Sequence, residues 1–144
     1  MWTCEHSVVS GATPAQVWAR YAEPKTWPEW DAALERVALH GPFAAGSRGT
    51  LRPVGGPTTR FTITEVVPEV GFTDVARLPL ARLVFRHRIE PVSTGSRLTH
   101  AVTITGPLSP LFARVLGVGV ARDLPAGMEA LARLAAAVPV RPSP

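Results

Sequence analysis

The chain is poor in the residues that most often carry assignable chemistry. A single cysteine, Cys4, excludes an internal disulfide and any multi-cysteine zinc site. Lysine is almost missing: Lys25 stands alone, so the formal charge of +4 is carried almost wholly by arginine. A basic balance of that size speaks to solubility and non-specific attraction more than to function. No apolar run is long enough to span a bilayer, and Met1 to Ser10 lacks the basic start and apolar centre of a secretory signal. Integral membrane association is therefore not expected, and a cytoplasmic protein is. There is no phosphate loop, dinucleotide fingerprint or nucleophile motif, so no cofactor is expected. Internal repeats and low-complexity linkers are also missing. Little lysine beside abundant Ala, Gly, Pro and Arg reads as the codon usage of a GC-rich bacterial genome.

What is present is enough for one core. The 144 residues, 46% of them hydrophobic, suit a single domain, expected over residues 1–138, with a flexible Pro-rich tail at 139–144. Helical spacing is sustained only in Ser109 to Ala137. Ser109 is expected to cap this helix, with Pro110 in its first turn. Leu111, Val115 and Val118 form one apolar stripe and Phe112, Leu116 and Val120 another, and both are expected to be buried against a sheet. Pro125 is expected to bend the helix near Leu124, before Met128, Leu131 and Leu134 resume its apolar side. Gly117, Gly119 and Gly127 notch it. Such a helix either packs closely at its glycines or stands off the sheet and leaves a pocket.

The rest of the chain reads as strands. Trp2 to Ser10 alternates with period two. Thr13 and Gln16 fit a capping box around Pro14, opening a short helix with Val17, Trp18 and Tyr21 near one side. Trp27-Pro28-Glu29-Trp30 is a second short helix or turn that presses two indoles onto the core. From there alternating runs predict strands at Leu34 to His40, Ser47 to Arg52, Arg60 to Val67, Phe72 to Leu78, Arg82 to Val92 and Arg97 to Thr105. Glycine and proline punctuate every gap.

This order resembles the helix-grip fold of the START and Bet v 1-like superfamily. Thr13-Pro14-Ala15-Gln16-Val17-Trp18, Trp27-Pro28-Glu29-Trp30, Gly41-Pro42-Phe43 with Gly46, and Gly106-Pro107-Leu108 are similar to its bacterial polyketide cyclase/dehydrase-like branch. The resemblance implies an α+β fold: a curved seven-stranded antiparallel sheet wrapped around a long C-terminal helix, with two short helices between the first strands. It also implies a hydrophobic or amphipathic small molecule held between sheet and helix, cyclised or dehydrated in some members. Fold by itself does not settle function.

Pairing arguments assign the faces. A hairpin at Pro79 and Leu80 opposes Leu78 to Ala81, Ala76 to Leu83, Asp74 to Phe85 and Phe72 to His87. One at Ser93 and Thr94 opposes His87 to His100, and one near Glu69 opposes Glu65 to Asp74 and Ile63 to Ala76. The inward face then collects Phe61, Ile63, Val67, Phe72, Leu78, Leu83, Phe85, Ile89, Leu98, Val102 and Ile104. Threonines and arginines occupy the outward face.

Four polar residues, Glu65, Asp74, His87 and His100, share the inward face, and polar groups in apolar surroundings need partners or water. They fit either a lined, hydrated cavity or a satisfied internal cluster that specifies register. The candidate catalytic set is His87, oriented by Asp74 and assisted by His100. Candidate ligand-binding residues are Trp27, Trp30, Phe61, Ile63, Glu65, Phe72, Phe85, Val102, Phe112, Leu116 and Val120. His6 faces the same side, but a metal site needs converging ligands and none is expected. The arginine-rich outer face lacks interleaved aromatics, so nucleic acid is not an expected partner.

Two functions remain open. One is binding of a hydrophobic or amphipathic ligand, lipid-like or polyketide-like; the other is acid-base catalysis by a cyclase or dehydratase. A protein-interaction module fits less well, because no exposed apolar stripe is expected. The chain is expected as a monomer or homodimer.

Overall fold

Alternation builds most of this molecule. The computed structural model describes residues 1–137, and the expected tail at 139–144 lies outside them. Seven strands form one antiparallel sheet: β1 (Trp2–Ser10), β2 (Leu34–His40), β3 (Arg48–Pro53), β4 (Thr59–Val67), β5 (Gly71–Leu78), β6 (Ala81–Val92) and β7 (Gly95–Thr105), in the order β1-β7-β6-β5-β4-β3-β2. Every expected strand is present, with ends shifted by at most two residues. The hairpin registers of β5, β6 and β7 are also those argued from the turns, including Phe72 opposite His87 and His87 opposite His100.

Two short helices link β1 to β2. In α1 (Pro14–Tyr21) the Thr13 hydroxyl accepts the Gln16 amide at 3.2 Å, and the Gln16 side chain accepts the Thr13 amide at 2.8 Å. Both orphan donors are thereby satisfied. The second is a 3₁₀ helix, Pro24–Glu29, which proline at 28 keeps short. It sets Trp27 and Trp30 into the core, 4% and 7% exposed.

The C-terminal helix departs from expectation at its start. It comprises α2 (Ser109–Phe112), a π-helical turn (Ala113–Gly117) and α3 (Val118–Ala137), which continues through Pro125. The cap is Leu108, without a side-chain hydrogen bond, so Ser109 is the first helical residue and not the capping hydroxyl. The wide π turn effectively inserts a residue and changes the phase of the apolar pattern. Phe112 and Val120 pack against the core that holds Met128, Leu131 and Ala135, Leu116 is half-buried, and Leu111, Val115 and Val118 turn to solvent at 51%, 66% and 69% exposure. An apolar stripe expected to be buried is therefore outside.

Between close packing and stand-off, the helix takes close packing. A Cβ on Gly117 would meet the Trp2 indole at 3.0 Å, and one on Gly127 would meet the Trp30 carbonyl at 3.1 Å. The Ser10 hydroxyl donates to the Ala132 carbonyl at 2.8 Å, pinning the end of β1 to α3. One core results, running from Val17 and Tyr21 through Phe61, Ile63, Phe72, Leu98 and Ile104 to Met128 and Leu131.

Gly49 shows how tightly the sheet is filled. It lies between Leu39 and Phe61 in the ladder, and a Cβ there would collide with the Ala38 carbonyl and fall 2.7 Å from the Phe61 ring. Gly49→Ala is expected to destabilise the fold by roughly 1–3 kcal/mol through overpacking. Urea unfolding checks this, and an unchanged midpoint would show that both the β2 backbone at Ala38 and the Phe61 ring have room to yield.

Candidate functional site

The registers assemble the site without help from any loop. His6, His100, His87 and Phe72 stand in one cross-strand row over β1, β7, β6 and β5. Asp74 lies two residues along β5 from Phe72, opposite Phe85. Side chains in such a row touch because cross-strand neighbours on one face are the closest pairs in a sheet. The His87 ring lies flat on Phe72 with centroids 3.9 Å apart, and meets His100 edge-on at 4.6 Å. From above, α1 lowers Tyr21, whose hydroxyl shares a 2.7 Å hydrogen bond with His100 Nε2. Trp27 stacks on Phe72 at 5.5 Å, Trp30 lies 6.0 Å from His100, and Phe43 lies 5.1 Å from Phe72.

This aromatic cover dries the polar groups, and desolvation dominates their ionisation. Burial pushes the Asp74 carboxyl up to about 8, so it is largely protonated at neutral pH. Burial holds His87 down to about 3, against the opposing pull of its hydrogen bond to Phe72. His100 is held well below the usual imidazole range by burial first, then by His87 and His6. Burial likewise suppresses ionisation of Tyr21. The 3.9 Å approach of His87 Nδ1 to Asp74 Oδ1 is thus a contact of two neutral groups, too long for a hydrogen bond, and not an ion pair.

Geometry also assigns the tautomer. His87 Nδ1 lies 3.3 Å from the Phe72 carbonyl, which can only accept, so Nδ1 carries the hydrogen and Nε2 keeps its lone pair. The site therefore holds a protonated carboxyl and, on the neighbouring strand, an imidazole whose Nε2 keeps its lone pair. Two polar atoms in it are buried without a hydrogen-bond partner: Asp74 Oδ1 and Trp30 Nε1. The Trp27 indole, by contrast, donates to the Tyr21 carbonyl at 3.1 Å.

The candidate residues do not all gather here. His87, Asp74 and His100 do come together. Phe61, Ile63, Phe72 and Val102 surround them as core, at 0–2% exposure. Phe85, Phe112, Leu116 and Val120 form a half-buried region under the first half of the helix. Glu65 does not belong. A bulge between Ile63 and Glu65 pairs Glu65 with Thr73 and Val66 with Phe72, so Glu65 turns to solvent and Val66 takes the inward place. Val67, expected inward, is 43% exposed for the same reason. The same bulge places Ile63, not Glu65, opposite Asp74, and Phe61 opposite Ala76.

Among the described residues, no standing cavity of ligand size opens at the expected place. Phe61, Ile63, Phe72, Leu98, Val102, Met128 and Leu131 are each at most 2% exposed, so a water-sized probe finds no room beside them. Two surface clefts lie elsewhere, one of about 430 Å³ at the β5–β6 turn and Pro107, one of about 290 Å³ beside Pro24, Lys25 and Phe43. Among the described residues His6, His87 and His100 do not form a metal-binding group. Tyr21 is the participant that sequence reasoning missed. It was visible on the inner side of α1, but only the packing of α1 onto the sheet brings its hydroxyl to His100.

Residues 1–136 match the protein family described as "Polyketide cyclase / dehydrase and lipid transport". No curated protein matches the chain. Among solved structures, protein MLL2253 from Mesorhizobium loti has 20% identity and a TM-score of 0.77, over 96% of this chain and 100% of that one. Ara h 8.0201 has 15% identity and a TM-score of 0.72, over 93% and 97% of the two chains. The di-domain ARO/CYC StfQ from the steffimycin biosynthetic pathway has 20% identity and a TM-score of 0.70, over 94% of this chain and 50% of that one. These likenesses carry the fold: an open seven-stranded sheet gripping a long C-terminal helix. No helix among the described residues is long and apolar enough to cross a membrane.

The neutral carboxyl sets a pH signature. Folding raises the Asp74 pKa from 3.8 to about 8, so its stabilising contribution is complete below 3.8 and is lost as pH rises towards 8. His87, lowered from 6.5 to about 3, works oppositely: its contribution is complete above 6.5 and lost as pH falls towards 3. Asp74→Asn keeps a neutral side chain of the same shape and removes only the first loss. Its stability advantage over the wild type is expected to grow from pH 4 to pH 8, with an upper limit on the order of 5 kcal/mol. Thermal melts across that range check this, and a gap independent of pH would mean that the carboxyl is not held neutral.

Proposed function

Because the chain belongs to the polyketide cyclase/dehydrase and lipid transport family, we propose that it binds an amphipathic small molecule, lipid-like or polyketide-like, between sheet and helix. The ligand's polar end meets Asp74, His87 and Trp30. The observation that carries this reading is the pair of buried, unpartnered polar atoms, Asp74 Oδ1 and Trp30 Nε1, in an otherwise aromatic interior. Buried polar groups without partners are uncommon, and a ligand carbonyl or hydroxyl would satisfy both a protonated carboxyl and an indole N–H.

The guest enters by displacing side chains rather than filling a void. The cover is thinnest where Phe85, Phe112, Leu116, Val120 and Leu124 are only half-buried. There the helix contains its π turn, a feature that often accompanies functional sites. The more deeply buried half around Met128, Leu131 and Ala135 serves as the fixed wall.

A second reading rests on the opposed ionisation of Asp74 and His87. At neutral pH the carboxyl holds a proton and the imidazole keeps a lone pair, the two forms that an elimination calls for. In a dehydration, His87 Nε2 would remove the proton next to a substrate carbonyl while the Asp74 carboxyl protonates the departing hydroxyl. A C–H and a C–O bond break, a C=C bond forms, and water leaves.

Binding is tested with an uncharged apolar fluorophore such as N-phenyl-1-naphthylamine, read also through the emission of Trp27 and Trp30. Saturable binding is expected, with Leu116→Arg weakening it by about tenfold or more, or roughly 1.4 kcal/mol. Failure of every apolar compound in a panel to bind would sink the proposal. For the catalytic reading, Asp74→Asn should abolish turnover of a β-hydroxy carbonyl substrate while leaving fluorophore affinity within about twofold. Undiminished turnover would remove Asp74 from the chemistry.

A further inference from the structure

The side of the C-terminal helix turned away from the core carries an apolar ridge that nothing among the described residues covers. Leu111, Val115 and Val118 are 51%, 66% and 69% exposed, and follow one another at helical neighbour spacing. Leu80, 67% exposed, sits at the foot of the same helix, its carbonyl accepting the Leu108 amide at 3.0 Å. Its φ of +53 is a left-handed conformation that disfavours leucine and that glycine or asparagine adopts more readily. The chain thus tolerates at one position both backbone strain and a large apolar side chain in water.

The segments that carry the ridge and its foot hold charge of one sign. Residues 75–88 and 97–122 contain no aspartate or glutamate, but they contain several arginines. Arg77 and Arg82 oppose each other across β5 and β6 and, with Leu80 and Pro107, line the cleft of about 430 Å³. Arg114 lies between Leu111 and Val118 on the helix. The first carboxylate beyond the ridge, Asp123, is held by Arg122 at 3.2 Å.

We infer that this patch docks the protein on the surface of an anionic phospholipid bilayer. Leu111, Val115 and Val118, with Leu80 at the foot of the helix, enter the boundary between headgroups and acyl chains, and Arg114, on the same helix, meets lipid phosphates. A second copy fits the patch poorly, since a two-fold contact sets the same guanidiniums against each other with no carboxylate to offset them. Nucleic acid fits no better, because the centre of the patch is aliphatic and offers no ring for a base to stack on. An anionic lipid surface satisfies both the aliphatic centre and the cationic border. The inference does not depend on the interior site.

The test is co-sedimentation of the full chain with vesicles. Equal parts phosphatidylglycerol and phosphatidylcholine should carry the protein down at low ionic strength, phosphatidylcholine alone should not, and about 0.5 M sodium chloride should release most of it. Val115→Asp and Val118→Asp, both at exposed positions, should each weaken partitioning by about tenfold without changing the melting temperature, and Arg114→Glu by about fivefold or more. The inference is overturned if anionic vesicles leave the protein in the supernatant, or if Val115→Asp partitions like the wild type. A concentration-dependent dimer that Val115→Asp dissolves, found by light scattering, would overturn it in favour of a second copy.

Discussion

Removal of water from the inner face of the sheet is the constraint on which the rest of the structure depends. Asp74, His87 and His100 lie under a cover of Tyr21, Trp27, Trp30, Phe43 and Phe72, and each is buried deeply enough to be held in its uncharged form. Charges there would demand either water or a tightly bonded counter-ion. The neutral forms avoid that demand and still leave a carboxyl proton and an imidazole lone pair. The carboxyl is kept at a cost in stability above acidic pH, and an apolar residue of similar size would be free of that cost. Among the described residues, Asp74 Oδ1 and the Trp30 indole N–H are the atoms of this interior buried without a hydrogen-bond partner.

The same drying explains why the site is closed. Apolar side chains collapse wherever they can exclude water, and close packing at Gly117 and Gly127 lets the helix settle on Trp2 and Trp30. Burial is graded along the helix. Met128, Leu131 and Ala135 are fully buried, while Phe112, Leu116 and Val120 are only half so. The π turn lies in the looser half and orients it twice over, directing one apolar stripe towards the interior and another towards the solvent.

Much of this was legible in the residues themselves. Turn chemistry at Pro79-Leu80 and Ser93-Thr94 set the registers of β5, β6 and β7, and with them the meeting of Phe72, His87 and His100. The capping box at Thr13 and Gln16 was read from spacing alone. These features are local, and local features are encoded within a few residues of where they act. Glu65 was misplaced because a bulge is one extra residue whose location depends on how the neighbouring strand pairs, and no residue type announces it. Leu111, Val115 and Val118 were misplaced for a parallel reason. Their helical spacing was read correctly, but a π turn altered the phase between the two halves of the helix.

By itself, then, the sequence determined the parity of each uninterrupted strand and the order of the elements, because side-chain alternation and turn preferences are properties of short segments. Only the tertiary structure decided which of two apolar stripes is buried and where Glu65 points. It also decided that the inward histidines lie in a closed, dry interior with Tyr21 above them. Those outcomes rest on the insertion of single residues into a paired ladder or a helical turn, and on long-range contacts that bring α1 and the last helix onto the sheet. No segment read alone contains the partner against which its phase is set.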